Sequence, residues 1–356
     1  MRQNRRMNAY YACAAKKETI IPETEKSQSG RKRTFLSIVF QICLIIQLLI
    51  FFGSCTEEPG KKRDISLKKE LVVGLLEGDE NYVFGLIADV KIDSPGNVYV
   101  LDIKMNKVAK YDRDGTFILR FGKKGVGPGE FENPRTIALN SSGKVYVLDF
   151  RKVIVFGENG GFIKSFGLDF MGVDMAINDK GNLVILGARS NQLFNVYDSE
   201  GDYLRSFGNL VDIPEKYSKY KDAGLFRTPL RLWTNRNKIF VMNPYKYEIY
   251  FYENESLKGK LVRRSPDYIK PEFKEEIPSG FSAVVANNFI FEKNNTLYVY
   301  YDGKKASWLD IFEYGKLIRS MEVKGTLAAI DDEGRFYFIE NEDYPKIIRY
   351  SENIKH

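Results

Sequence analysis

Metal-binding chemistry over most of this chain has to come from oxygen atoms. The single imidazole is His356, the last residue, and the three thiols, Cys13, Cys43 and Cys55, all lie in the first 55 positions. A histidine general base, a Ser-His-Asp triad, a His-ligated zinc and a thiolate metal site therefore have no residues to use over positions 56–355. Carboxylates and amides remain, and these suit hard cations such as Ca2+ or Mg2+. When the recurring strands are aligned on their turns, one position near the strand start holds Asp89, Thr136, Asp174, Arg231, Asn288 and Leu327. The following residues, Val90, Ile137, Met175, Leu232, Phe289 and Ala328, are apolar. The polar set is a candidate axial site, with Asp89 and Asp174 as the carboxylates that would hold Ca2+. The alternative is that such residues bond backbone and water. No other cofactor motif stands out. Gly122–Gly129 is glycine-rich but lacks the Gly-Lys-Ser/Thr ending of a phosphate loop and precedes no helix pattern.

These positions sit on a repeat. One strand core recurs six times: Val98–Asp102, Val145–Asp149, Leu183–Gly187, Ile239–Asn243, Leu297–Tyr301 and Phe336–Glu340. The mean step is about 48 residues, within the range of supersecondary repeats. A polar turn precedes most of the cores, as in Asp93-Ser94-Pro95-Gly96-Asn97 and Asn140-Ser141-Ser142-Gly143-Lys144. A second turn follows, as in Asp112-Arg113-Asp114-Gly115, and then a strand closing on Phe-Gly at 121–122, 166–167 and 207–208. Asp and Asn at turn starts bond backbone two residues on. Each unit reads as four short strands, A to D, and aromatic enrichment of 14% agrees with a strand-rich chain. Four-stranded units with two apolar faces must stack, and radial stacking leaves only short edges.

The segment Gly129-Glu130-Phe131-Glu132-Asn133-Pro134, with Ile137–Asn140, Gly143–Asp149 and Phe166-Gly167, resembles the NHL repeat. The resemblance is strong over 84–208 and degenerate over 225–262, 281–323 and 325–354. It implies an all-β, six-bladed propeller of antiparallel blades, similar to bacterial six-bladed propeller lipoproteins. The last unit shows three strands, so Lys69–Leu75 is expected to supply its fourth and close the ring. Asp102 and Asp149 end equivalent strands and are expected to tie down the turns that follow them.

In a propeller of this kind the D-to-A connections share a face with the channel mouth. Two of them are long. Residues 209–230 contain Tyr217, Tyr220 and Phe226, and residues 263–282 contain Arg264, Tyr268 and Phe273. Long loops on one face of a repeat protein often bind, and Tyr and Arg are effective interface residues. These six are candidate binding residues.

The leader explains the charge of +7. Residues 1–54 carry nine basic and three acidic side chains, while the remainder is almost neutral, so no nucleic-acid footprint is expected. Arg31–Arg33, the apolar run Phe35–Phe52 and Gly53-Ser54-Cys55 form a secretory pattern. The cysteine after small residues resembles a bacterial lipobox, which implies lipidation of Cys55. An uncleaved span would export the same domain. The expected organisation is an extension at 1–30, a signal at 31–54, a tether at 55–67 and a propeller at 68–356. The expected function is an extracytoplasmic, lipid-anchored module of a bacterial envelope that binds protein, peptide or glycan without catalysis. A Ca2+-dependent hydrolase or lactonase using the axial carboxylates is the alternative.

Overall fold

The computed structural model describes residues 64–209, 231–235, 237–243, 246–265, 267–268, 272–276, 280–284 and 288–355. Cys55, Tyr217, Tyr220 and Phe226 lie outside the described residues, as do the side chains of Phe273 and Asn288.

The turns shape the chain first. At the first A-to-B turn the Asp93 carboxylate accepts the amide of Asn97 at 2.7 Å. At the second, Asn140 Oδ1 accepts the amides of Ser142 and Lys144 at 3.1 and 2.8 Å. Side-chain acceptors at turn starts thus satisfy amides that would otherwise face solvent unpaired.

Blade 1 is β2 (Ile87–Ile92), β3 (Val98–Asp102), β4 (Lys107–Tyr111) and β5 (Phe117–Phe121). Blade 2 is β6 (Pro134–Leu139), β7 (Val145–Asp149), β8 (Lys152–Phe156) and β9 (Phe162–Gly167). Blade 3 is β10 (Asp174–Ile177), β11 (Leu183–Arg189), β12 (Gln192–Tyr197) and β13 (Tyr203–Asn209). Blade 4 is β14 (Leu232–Asn235), β15 (Lys238–Met242), β16 (Glu248–Glu253) and β17 (Ser256–Val262). A separate hairpin follows, β18 (Glu272–Glu276) and β19 (Gly280–Val284). Blade 5 is β20 (Asn288–Lys293), β21 (Thr296–Asp302), β22 (Ser307–Glu313) and β23 (Lys316–Val323). Blade 6 is β24 (Thr326–Ile330), β25 (Phe336–Glu340), β26 (Lys346–Lys355) and, on its outer side, β1 (Asp64–Val73). This is the six-bladed antiparallel propeller that the repeat implies, closed by the N-terminal strand.

The closing strand is longer than Lys69–Leu75. It pairs from Asp64↔Lys355 to Val73↔Ile347, with a bulge between Lys69 and Leu71. Residues 64–67 are therefore strand rather than tether. The insertion after blade 4 also departs from a plain loop, because part of residues 263–282 forms the β18–β19 hairpin.

The core is divided among six slabs, one at each blade boundary. Tyr99, Leu101 and Phe121 of blade 1 meet Ile137, Val147 and Phe156 of blade 2 in one of them. Val73, Tyr337 and Ile347 of blade 6 meet Val90, Val98 and Val100 of blade 1 in the slab that seals the ring. Strands β3 and β7 are buried along their whole length, as inner strands sandwiched on both faces must be, whereas β5 and β9 alternate in exposure. Two of the three Phe-Gly endings have a packing cause. Gly122 and Gly208 take φ of 85° and 75°, and the rings of Phe131 and Phe194 occupy the space where a Cβ would stand.

Candidate functional site

Strand alternation selects which residues face the axis. The central cavity, about 210 Å³, is lined by Asp89 and Lys91 of β2, Asp174 and Ala176 of β10, Arg231 and Trp233 at β14, and Phe289 and Phe291 of β20, with Ala138 and Ala328 from the other two blades. In the first four strands these are positions two apart, as a period of two favours, and the intervening Met175, Leu232 and Ile290 also border the cavity. Asp89, Asp174 and Arg231 form the end nearest the D-to-A face, and Ile92, Leu139 and Thr234 the end nearest the A-to-B turns.

The structure therefore brings Asp89, Asp174 and Arg231 together, as the repeat alignment implies. It corrects that alignment in two blades. Asp89 and Thr136 pair with Leu101 and Leu148, the fourth residues of their cores. In blade 5 the residue opposite the fourth core position, Tyr300, is Phe289, and Asn288 pairs one step away with Tyr301. In blade 6 Thr326 pairs with Ile339, the fourth core residue, while Leu327 packs into the slab between blades 5 and 6. A one-residue slip exchanges the two faces of a strand. The axial ring thus reads Asp89, Thr136, Asp174, Arg231, Phe289 and Thr326.

The carboxylates in this ring act as ties between blades. Asp89 is 2% exposed, and both of its oxygens are engaged. Oδ1 accepts the Val90 amide at 2.9 Å and Lys91 Nζ at 2.6 Å. Oδ2 accepts the Thr136 hydroxyl at 2.6 Å and the Ile137 amide at 3.0 Å, both from blade 2. Asp174 repeats the device one boundary on. Its Oδ1 accepts the Met175 amide at 2.9 Å, and its Oδ2 accepts the Leu232 amide of blade 4 at 2.9 Å. Burial pushes the Asp174 carboxyl above the ordinary aspartate range, against the opposing pull of Arg231 and Lys91.

This donor set does not fit Ca2+. The ion takes six to eight oxygens, whereas Asp89 and Asp174 already hold backbone amides and stand beside the cations Lys91 and Arg231. Among the described residues no group of three or more His, Cys, Asp or Glu could hold a metal.

Two arginines differ from the carboxylates in being under-used. Arg231 stands 3.8 Å from Asp174 Oδ1 and lies over the Phe289 ring at 5.1 Å, and its Nε is buried with no acceptor. Arg135, at the bulge opening β6, lies over the Phe150 ring at 5.7 Å, and its Nε is likewise buried without an acceptor. Burial, followed by the charge of Arg231, pulls the Arg135 guanidinium below its usual pKa.

Lys91 and Trp233 were legible in principle, since each lies two residues beyond a ring position, whereas Phe291 follows only once strand pairing puts Phe289 on the axis. Arg135 was not, because a bulge sets its direction.

The other candidates separate. Asp102 accepts the amides of Lys104 and Met105 in the following turn, and also those of Gly85 and Leu86 before β2. Asp149 accepts the amides of Glu132 and Asn133 in the preceding connection, and past the following turn it meets the Lys152 ammonium at 3.5 Å. Arg264 is exposed. Tyr268 is not a surface anchor. It is buried in the slab between blades 4 and 5, with its ring 5.4 Å from Tyr247 and 5.6 Å from Tyr301. The neighbour of Arg264, Arg263, makes the buried ion pair there, with Asp310.

Residues 75–351 match the model of a family described as a domain of unknown function, DUF4934. The chain is 22% identical over 143 residues to Protein brain tumor of Drosophila melanogaster, covering 38% of this chain and 13% of that protein. It is 28% identical over 79 residues to human NHL repeat-containing protein 3, covering 21% and 23%. The chain thus spans less than a quarter of either curated relative. Among solved structures, a Bacteroides fragilis protein provisionally named an exported protein superposes with a TM-score of 0.58 at 15% identity, covering 83% of this chain and 96% of that one. That likeness concerns the fold.

Proposed function

The chain belongs to the DUF4934 family, a domain of unknown function, and from that premise we propose that it is a non-catalytic binding module, displayed outside a bacterial membrane on a lipid attached at Cys55. Its partner is a protein, peptide or glycan held on the D-to-A face. The observation that carries this reading is the full engagement of Asp89, whose two oxygens accept four hydrogen bonds from blades 1 and 2. The groups a metal-dependent hydrolase would need are used to join blades. No imidazole lies within 56–355 to replace them.

The anchor is supported by Arg31–Arg33, the apolar run and Gly53-Ser54-Cys55. The fold shared with a protein named as exported agrees with this placement. Mass spectrometry of the protein extracted from membranes is expected to show a lipid-modified N-terminus at Cys55, and an intact 1–54 leader would overturn the anchor.

For the binding face, Tyr217, Tyr220 and Arg264 are replaced by alanine, and Ser94 and Ser142 on the A-to-B turns are altered separately. Cross-linking in native membranes is expected to lose a partner only in the first set. Loss only in the second set would refute the placement. Ca2+-dependent lactone hydrolysis that vanishes in Asp174→Ala would reverse the non-catalytic reading.

A further inference from the structure

The axial cavity is divided by chemistry. Blades 1 to 3 give it the charged side chains Asp89, Lys91 and Asp174 among aliphatic residues, and blades 4 and 5 give it an aromatic wall of Trp233, Phe289 and Phe291. The wall is held in place: Trp233 Nε1 donates to the Glu292 carbonyl at 3.2 Å, and its ring lies 5.0 Å from that of Phe291. At the base of the wall stands Arg231.

The charges here are unequally paired. Lys91 is in close contact with Asp89 at 2.6 Å. Arg231 reaches Asp174 only at 3.8 Å, beyond hydrogen-bond length, and that carboxylate is already bonded to two amides. A guanidinium offers five donors in a planar fork suited to a carboxylate. The buried Nε of Arg231 uses none of this capacity, and the same holds for the buried Nε of Arg135, close enough for each charge to oppose the other. Arg231 thus brings to the cavity wall a guanidinium that Asp174 meets only at 3.8 Å.

We propose that the axial cavity binds a small organic carboxylate with an apolar or aromatic body, the carboxylate on Arg231 within the field of Arg135 and the body against Trp233 and Phe291. Size limits the class. The cavity, at about 210 Å³, is below the ~300–1,000 Å³ of drug-sized ligand pockets, so a single ring or a short chain fits and an oligosaccharide does not. The inference stands on the cavity alone and survives if the D-to-A face has no macromolecular partner.

The test uses the full chain purified in detergent, with calorimetry and ligand-observed NMR on four probes: phenylacetate, phenylacetamide, acetate and inorganic phosphate. Phenylacetate is expected to bind saturably. The neutral amide should be about tenfold weaker or worse, for want of the charge-assisted bonds. Acetate and phosphate should be weaker still, for want of apolar contact. Arg231→Gln should weaken phenylacetate about tenfold, and Arg135→Gln by a smaller factor, with the far-ultraviolet spectrum checking the fold of each. No saturation by phenylacetate up to about 10 mM, the weak end of measurable affinity, would overturn the proposal. So would equal binding of the amide, equal binding of acetate or phosphate, or an unchanged affinity in folded Arg231→Gln. If Arg231→Gln does not fold, the four-probe comparison on the unaltered protein decides alone.

Discussion

The Thr136 hydroxyl donates to the Asp89 carboxylate at 2.6 Å across the boundary between blades 1 and 2. A residue pair 47 positions apart thus joins two repeats at the wall of the channel. Asp174 does the same for blades 3 and 4 through the Leu232 amide. The axial ring is in this respect part of the framework.

Removing the first tie should lower stability. Asp89→Ala leaves the Thr136 hydroxyl and the Ile137 amide without acceptors in a buried setting, and each orphaned donor costs about 1–3 kcal/mol. Thr136→Val removes one bond and should cost less than Asp89→Ala. Urea unfolding measures both. An Asp89→Ala protein as stable as the parent would show that the tie contributes nothing.

The ring closure is the second expectation. Deleting residues 64–73 uncovers the outer edge of β26 over Ile347–Lys355. The melting temperature should fall sharply and the protein should aggregate, since an unpaired edge recruits other strands. A variant that melts with the intact chain and remains monomeric would remove β1 from the closure.

The third expectation concerns pH. Burial raises the Asp174 carboxyl above its unfolded value, which is about 3.9 for an aspartate. Between the two values the native state binds more protons than the unfolded one. Stability contributed by this group is therefore present below the unfolded pKa and falls as pH rises through the folded one. Asp174→Asn cannot ionise, so the parent's stability relative to this variant should decline as pH rises from about 4. Denaturation at several pH values gives the difference, and a difference that is flat or rises would contradict the burial effect.

The boundary between blades 4 and 5 carries a buried charge. Asp310 is fully buried, pairs with Arg263 and accepts the Tyr247 hydroxyl at 2.6 Å. Arg263→Met strands that carboxylate, and breaking a buried pair on one side costs about 3–5 kcal/mol. The double change Arg263→Met with Asp310→Leu should recover much of the loss. A double variant no better than the single one would show that packing rather than charge dominates here.

Six recurring strand cores, their Asp- and Asn-led turns and a spare N-terminal strand determined the six-bladed ring from sequence alone. These are local signals, repeated at a spacing that a chain reader can measure. The sequence likewise placed Asp89, Asp174 and Arg231 on one level. Tertiary structure decided the rest. Asn288 and Phe289 differ by one residue, and only strand pairing shows that Phe289 holds the axial position, because a slip of one exchanges the faces of a strand. The partners of Asp89 and Asp174 lie 47 and 58 residues away in the chain. No spacing rule within a blade can state that these carboxylates are spent on a neighbouring blade while Arg231, two residues from Trp233, keeps a buried donor free. That follows from how the blades stack, where each boundary settles which polar groups meet.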